Sequence, residues 1–114
     1  MLRPRDAETA MKDPLEPQRC AELLSALAAP ERLRIIRYLR DGPRNVTEIA
    51  EMLQTAVVNA SHHLMVLRHA GLVRGQKQGR FVLYSVSPNV LQPESEGDRL
   101  DLGCCRLELP LEET

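Results

Sequence analysis

The feature that most constrains this chain is a change of hydrophobic period partway along it. From Gln18 to His69 apolar residues recur at intervals of three and four, and from Val73 to Val86 they alternate. The first spacing lines one face of a helix and the second one face of a strand. Cys20, Leu23, Leu24 and Leu27 give the first helix its apolar stripe. Pro30 interrupts that stripe and suits the first turn of a second helix, where a missing N–H costs nothing. Leu33, Ile36, Tyr38 and Leu39 form its inward face, and Asp41-Gly42-Pro43 stops it.

Asn45-Val46-Thr47-Glu48 has the spacing of a capping box and opens a short third helix with Val46, Ile49, Ala50 and Leu53 inward. A fourth helix runs from about Ala56 to His69, burying Val57, Ala60, Leu64 and Leu67, with Gly71 as a left-handed C-terminal cap. Two strands, Val73 to Lys77 and Arg80 to Val86, flank Gln78-Gly79 as a short hairpin turn. The expected fold is mainly α with a small β-hairpin, in the order α-α-α-α-β-β. Two short helices followed at once by a basic-tipped hairpin describe a winged helix-turn-helix. Its second short helix would enter the major groove of DNA, with the wing beside the backbone.

A chain of 114 residues fits one small domain. Aromatic residues are only 3%, so the core must come from Leu, Val, Ile, Ala and Met. A domain this small buries about two-thirds of its extended-chain surface, and dimerisation is a common remedy for the resulting marginal stability. No apolar run approaches the roughly 20 residues needed to span a bilayer, and Met1-Leu2-Arg3-Pro4-Arg5-Asp6 lacks the apolar stretch of a secretory signal. Three cysteines without framework spacing suggest reduced thiols and a cytoplasmic setting. A Gly-rich phosphate loop, His-Glu-x-x-His and Cys-x-x-Cys are all missing, which argues against a nucleotide-driven enzyme or a zinc hydrolase. Neither an enzymatic activity nor an organic cofactor is expected.

The net charge of −1 argues at first against nucleic acid, for which a basic excess is the usual footprint. By segment it divides into −1 over residues 1–29, +5 over 30–88 and −5 over 89–114. The neutrality is a cancellation, and the basic middle meets the condition for phosphate contacts. The chain accordingly divides into a mobile arm (1–17), a winged-helix DNA-binding domain (18–88) and an acidic C-terminal extension (89–114). In the extension Asn89-Val90-Leu91-Gln92 could form one helical turn, with a linker from Pro93 to Asp98. From Leu100 two strand-like runs meet at Cys104-Cys105, where the alternation slips by one residue just after Gly103, as at a bulge or sharp turn.

Ala29-Pro30-Glu31-Arg32-Leu33-Arg34-Ile35-Ile36, Thr47-Glu48-Ile49-Ala50, Ser61-His62-His63-Leu64 and Ala70-Gly71-Leu72-Val73 resemble the ArsR/SmtB family of metal-responsive repressors over roughly residues 18–88. The resemblance implies a cytoplasmic homodimer that represses its own operon and leaves DNA when a metal, metalloid or thiol oxidant binds. Two of the family's sensor sites have no counterpart. Asn45-Val46-Thr47 stands where one sensor carries Cys-Val-Cys, and no His follows His69 to supply a zinc site on a long C-terminal helix. What remains is Cys104-Cys105 with Cys20. Some family members bind arsenite through three thiols including a vicinal pair, and this inventory is similar.

Cys20 taken alone reads first as a small buried hydrophobe on an apolar stripe. The vicinal pair is harder to explain by packing, because neighbours on a strand face opposite sides and one would be left in solvent. Three thiolates without imidazole suit a soft three-coordinate ion such as As(III), Sb(III) or Pb(II), whereas zinc normally takes four ligands. Oxidation of Cys104 or Cys105 to a disulfide or persulfide with Cys20 is the competing sensor chemistry. An enzyme of thiol chemistry would need a His or helix N-terminus beside the thiolate, and the tail supplies neither.

For DNA, the exposed N-terminal face of the fourth helix carries Ala56, Val58, Asn59 and His62. Asn59 has the donor–acceptor pair for adenine, and Val58 or Ala56 could touch a thymine methyl. Ser61 and His63 fit phosphate positioning, with helix packing as the alternative. Lys77, Gln78 and Arg80 at the wing tip, and Arg68 further along the helix, complete the expected interface. A two-fold dimer would prefer an inverted-repeat operator in double-stranded DNA, with half-sites roughly 34–36 Å apart. A winged-helix module binding protein instead would expose an apolar patch on the fourth helix. No membrane partner is expected.

Overall fold

The computed structural model describes residues 16–90 and 99–108. Four helices come first: α1 (Pro17–Leu27), α2 (Pro30–Leu39), α3 (Val46–Leu53) and α4 (Val57–His69). An antiparallel hairpin follows, β1 (Val73–Gln78) with β2 (Phe81–Val86), and a second smaller one pairs β3 (Arg99–Asp101) with β4 (Arg106–Glu108). Residues 1–15 of the expected arm (1–17), residues 91–92, the expected linker from Pro93 to Asp98 and residues 109–114 lie outside the described residues. Among the described residues no helix is long and apolar enough to cross a membrane.

The local signals act as expected. The side chain of Asn45 accepts from the Glu48 N–H and the Glu48 carboxylate accepts from the Asn45 N–H, each at 2.9 Å, a closed capping box. A cap of this kind stabilises a helix by about 1 kcal/mol, which matters for a helix of eight residues. Gly71 ends α4 at φ +83°, with the Leu72 N–H reaching back to the Leu67 carbonyl. Gln54 closes α3 in the same left-handed region, at φ +56°. It is the only described non-glycine residue there, and nothing in its side chain announces it.

The core is a single cluster in which Ile35, Ile36, Ile49, Ala60, Leu64, Leu67 and Leu72 are sealed from solvent. Not every inward assignment holds. On α1 the buried residues are Leu23, Ala26 and Leu27, while Leu24 is 40% exposed. On α2 Leu33 and Tyr38 are half-buried and pack against the cluster, and Ile35 joins Ile36 and Leu39 within it. On α4 Val57, the first residue of the helix, is 45% exposed.

The wing turn is Gly79-Arg80, one residue later than expected, with Gln78 and Phe81 paired across it. Gly79 has φ +62°. A two-residue hairpin with positive φ at its first central position calls for glycine there, so Gly79 sets the register. Arg44, between α2 and α3, exchanges both backbone hydrogen bonds with Tyr84 at 3.0 and 2.8 Å and lays its guanidinium 4.5 Å from the centre of the Tyr38 ring. The wing is thereby tied to the helical body.

Candidate functional site

The second helix of the helix-turn-helix presents its N-terminal turn to solvent. Ala56, Val58, Asn59, Ser61 and His62 are all exposed, and Val58 is 71% so. The reason lies in the pattern of α4, where Ala60, Leu64 and Leu67 are buried, His63 and Val66 are half-buried beside them, and the remaining residues turn outward. Asn59 donates one amide hydrogen to Thr55 Oγ1 at 2.9 Å. Its second hydrogen and its carbonyl oxygen stay available, which is what bidentate contact with adenine requires. Ser61 and Arg68 are two turns apart on the same exposed face. Lys77, Gln78 and Arg80 are exposed at the tip of the wing.

His63 differs from its neighbours by being half-buried. Arg32 donates from its Nε to the Ala26 carbonyl at 2.6 Å, and its Nη1 lies 3.1 Å from His63 Nδ1. A guanidinium cannot accept, so Nδ1 carries the lone pair and the imidazole is neutral. Burial lowers the His63 pKa below 6.5, and the charge of Arg32 adds to the effect. His63 is therefore a joint between α1, α2 and α4 as well as a neighbour of the outer face. Arg32 was not singled out as a site residue, since an arginine within a helix gives no sign of a partner 31 positions away. Beside this joint is a cleft of about 370 Å³ lined by Glu31, Arg34, Leu53, Gln54, Thr55, Asn59, His62 and His63.

Phe81 carries no signal in the sequence that would mark it as a surface residue. It stands beside Arg80 at the wing tip and is 53% exposed. On α4, Val57, Val58 and Met65 are exposed too, interleaved with Asn59, Ser61, His62 and Arg68. The outer face is therefore mixed, a face with methyl groups and hydrogen-bonding groups side by side.

At the other end of the molecule, Cys20 on α1 meets Cys104 and Cys105 in the turn between β3 and β4. Their three sulfurs lie within 4.8 Å of one another. They form the one group of three or more His, Cys, Asp or Glu side chains close enough to hold a metal ion among the described residues. Cys20 and Cys104 are joined by a disulfide with their Cα atoms 5.9 Å apart, while Cys105 keeps a free thiol. The Cys105 Sγ is 3.8 Å from that of Cys20 and 4.0 Å from that of Cys104. Reduced thiols were the expectation for all three, and the pairing follows from the docking of the tail against α1. All three cysteines are half-buried, so Cys20 is not a core residue.

The turn that carries the vicinal pair explains the slip in alternation. The Leu102 N–H donates to the Cys105 carbonyl and the Gly103 N–H to Asp101 Oδ1, each at 2.9 Å. With Gly103 at φ +89° the turn departs from strand alternation, and both sulfurs lie beside that of Cys20 on α1. Leu100 is sealed against the core, and the Asp101 N–H reaches the Val90 carbonyl at 2.9 Å. A three-coordinate soft ion with metal–sulfur bonds of about 2.3 Å holds its sulfurs roughly 3.5–4 Å apart. Two of the three separations are already of that order.

Residues 29–74 match the model of the bacterial regulatory protein family ArsR. The regulator NmtR of Mycobacterium tuberculosis is 45% identical over 76 residues, which cover 64% of this chain and 63% of that protein. The transcriptional repressor SdpR of Bacillus subtilis is 31% identical over 61% of this chain and 78% of its own length. The chain belongs to the ArsR family. Its fold agrees with that of the homodimeric winged helix-turn-helix DNA-binding domain Mb0332 from Mycobacterium bovis, at a TM-score of 0.62 and 28% identity, covering 75% of this chain and 73% of that one. The chain spans a little under two-thirds of the length of NmtR. These ArsR relatives are named as regulators of transcription, not as enzymes.

Proposed function

We propose that this ArsR-family chain is a homodimeric, DNA-binding transcriptional repressor of the cytoplasm. It leaves its operator when a soft metal or metalloid ion, As(III), Sb(III) or Pb(II), binds the thiolates of Cys20, Cys104 and Cys105. The observation that carries the reading is the convergence of three sulfurs from positions 84 residues apart, with no imidazole or carboxylate among them. Sulfur-only, three-donor sites favour soft ions over zinc.

On the DNA side, Asn59 reads adenine, Val58 and Ala56 touch a thymine methyl, and His62 completes the base-facing turn. Ser61, His63 and Arg68 position the phosphates, and Lys77, Gln78 and Arg80 of the wing reach the backbone. A two-fold dimer sets two such helices about 34–36 Å apart on an inverted repeat. A reduced full-length chain bound to operator DNA should be released by arsenite. The Cys104→Ser, Cys105→Ser double variant should bind the same DNA and ignore arsenite, as followed by fluorescence anisotropy. Release that persists in the double variant sinks the thiol reading. A second reading, favoured by the Cys20–Cys104 pairing, takes oxidation as the releasing signal. Peroxide in place of arsenite in the same assay separates the two.

A further inference from the structure

The disulfide and the three-thiol ligand set draw on the same atoms. With Cys20 bonded to Cys104, a single thiol remains in the cluster, that of Cys105. Its sulfur touches both partners of the bond, at 3.8 Å from Cys20 and 4.0 Å from Cys104. All three side chains are half-buried, so small reagents reach them.

We propose that the thiol cluster is a redox-gated ion site with Cys20 as the shared partner. Oxidation to the disulfide closes the site to soft ions, and a bound ion in turn shields the thiols from oxidation. This rests on the three thiols being one ligand set. The oxidant is of the peroxide class. One thiolate attacks the O–O bond, becoming a sulfenic acid as an alcohol or water leaves. The second thiol then displaces water from that sulfur, so two thiols and one peroxide give one disulfide and either two waters, from hydrogen peroxide, or one alcohol and one water, from an alkyl peroxide. Two electrons pass from sulfur to the peroxide.

Either tail cysteine can be the second partner, because Cys105 lies as near to Cys20 as to Cys104. By exchange, the Cys105 thiolate attacks the Cys20 sulfur, the bond to Cys104 breaks, and Cys104 leaves as a thiolate with no net transfer of electrons. Attack on Cys104 would instead bridge adjacent residues, which demands backbone distortion. Cys20 is thus common to both relaxed pairings.

The test uses the full-length chain, reduced with a phosphine or oxidised with hydrogen peroxide, and titrated with arsenite by thiolate charge-transfer absorption. The reduced chain should bind arsenite, and the oxidised chain should bind it at least about 100-fold more weakly, since one donor replaces three linked ones. Phosphine should restore binding. Peptide mapping of the Cys104→Ser variant after peroxide should find Cys20 joined to Cys105. Arsenite binding that is unchanged once the disulfide has formed overturns the gate and the three-thiol reading together. A reduced chain that binds arsenite but forms no Cys20 disulfide with peroxide overturns the gate alone. Failure of the reduced chain to bind arsenite overturns both. A Cys104→Ser variant that forms no disulfide refutes the shared role of Cys20.

Discussion

The helical body and the tail hairpin are held together by different means. The body, from α1 through β2, is built on a continuous cluster of aliphatic side chains in which eight residues are at most 2% exposed. The tail hairpin contributes just Leu100 to the buried core, with Leu102, Cys104 and Leu107 packed partly against it. Its remaining ties are the backbone bond from Asp101 to Val90 and the Cys20–Cys104 disulfide. Its ion pairs, Arg99 with Glu108 at 3.6 Å and Arg106 with Asp101 at 3.7 Å, are largely exposed. Pairs of that kind contribute about 0–1 kcal/mol each. The difference teaches that the tail's position depends on sulfur chemistry in a way the body's does not. An element placed by a chemically reactive contact is well suited to report on what reacts with it.

The comparison breaks most directly in the cores of the two regions. Ile36→Ala should destabilise the whole chain by about 2–5 kcal/mol, because it empties a site that is fully enclosed. Leu100→Ala removes an equally buried side chain, but its global cost is capped by the free energy that docks the tail, and should stay below about 2 kcal/mol. Denaturant unfolding of the two variants, both with the disulfide reduced, checks this. Equal losses would mean that the tail is an integral part of one cooperative core.

A smaller effect sharpens the division between reading and sensing. Asn59→Ala should lose about 1–3 kcal/mol of discrimination between operator and random DNA. Its response to arsenite should remain, since Asn59 lies on α4 and the sulfurs lie on α1 and the tail. Anisotropy titrations on both DNAs decide it. If operator and random DNA weaken together, Asn59 does not read bases; if the arsenite response also vanishes, the two regions are not separate in function.

Most of the body was legible because its signals are local. The capping box at Asn45 and Glu48, the stop at Gly71 and the change of period after His69 each act within a few residues. The winged helix followed from them, while the family resemblance rested on the residue blocks at 29–36, 47–50, 61–64 and 70–73. What failed were positions decided by distant neighbours: Val57 fits the helical stripe, yet at the first position of α4 it is 45% exposed. Gln54 takes a left-handed turn without the residue type that usually marks one. The tail was legible only as a defect, a slip at Cys104-Cys105. Its meeting with Cys20 could be weighed on chemical grounds alone, because a contact across 84 residues leaves no local trace. The near-zero net charge was misleading for a related reason, since a sum over the chain erases the contrast between a basic body and an acidic tail.

The smallest effect concerns protons, and it belongs to the body alone, for the tail has no histidine. Burial, and next the positive charge of Arg32, hold the His63 pKa below its ordinary 6.5; His62 adds a little, and Glu31 pulls the other way. With the folded pKa beneath the unfolded one, the unfolded chain binds more protons in the interval between them. Stability from neutral His63 is therefore complete above the unfolded pKa and declines as the pH falls through 6.5 toward the depressed value. Protonation also forces Nδ1 to become a donor facing the Arg32 guanidinium, which breaks the bond between α2 and α4. Acidification from about pH 7.5 to about pH 5.5 should lower the denaturation midpoint of the wild-type chain more than that of His63→Gln. Comparing the two cancels the contributions of His62 and His69, which both proteins keep. Parallel pH profiles would show that the Arg32–His63 joint contributes nothing that depends on protonation, and would leave the half-burial of His63 as packing alone.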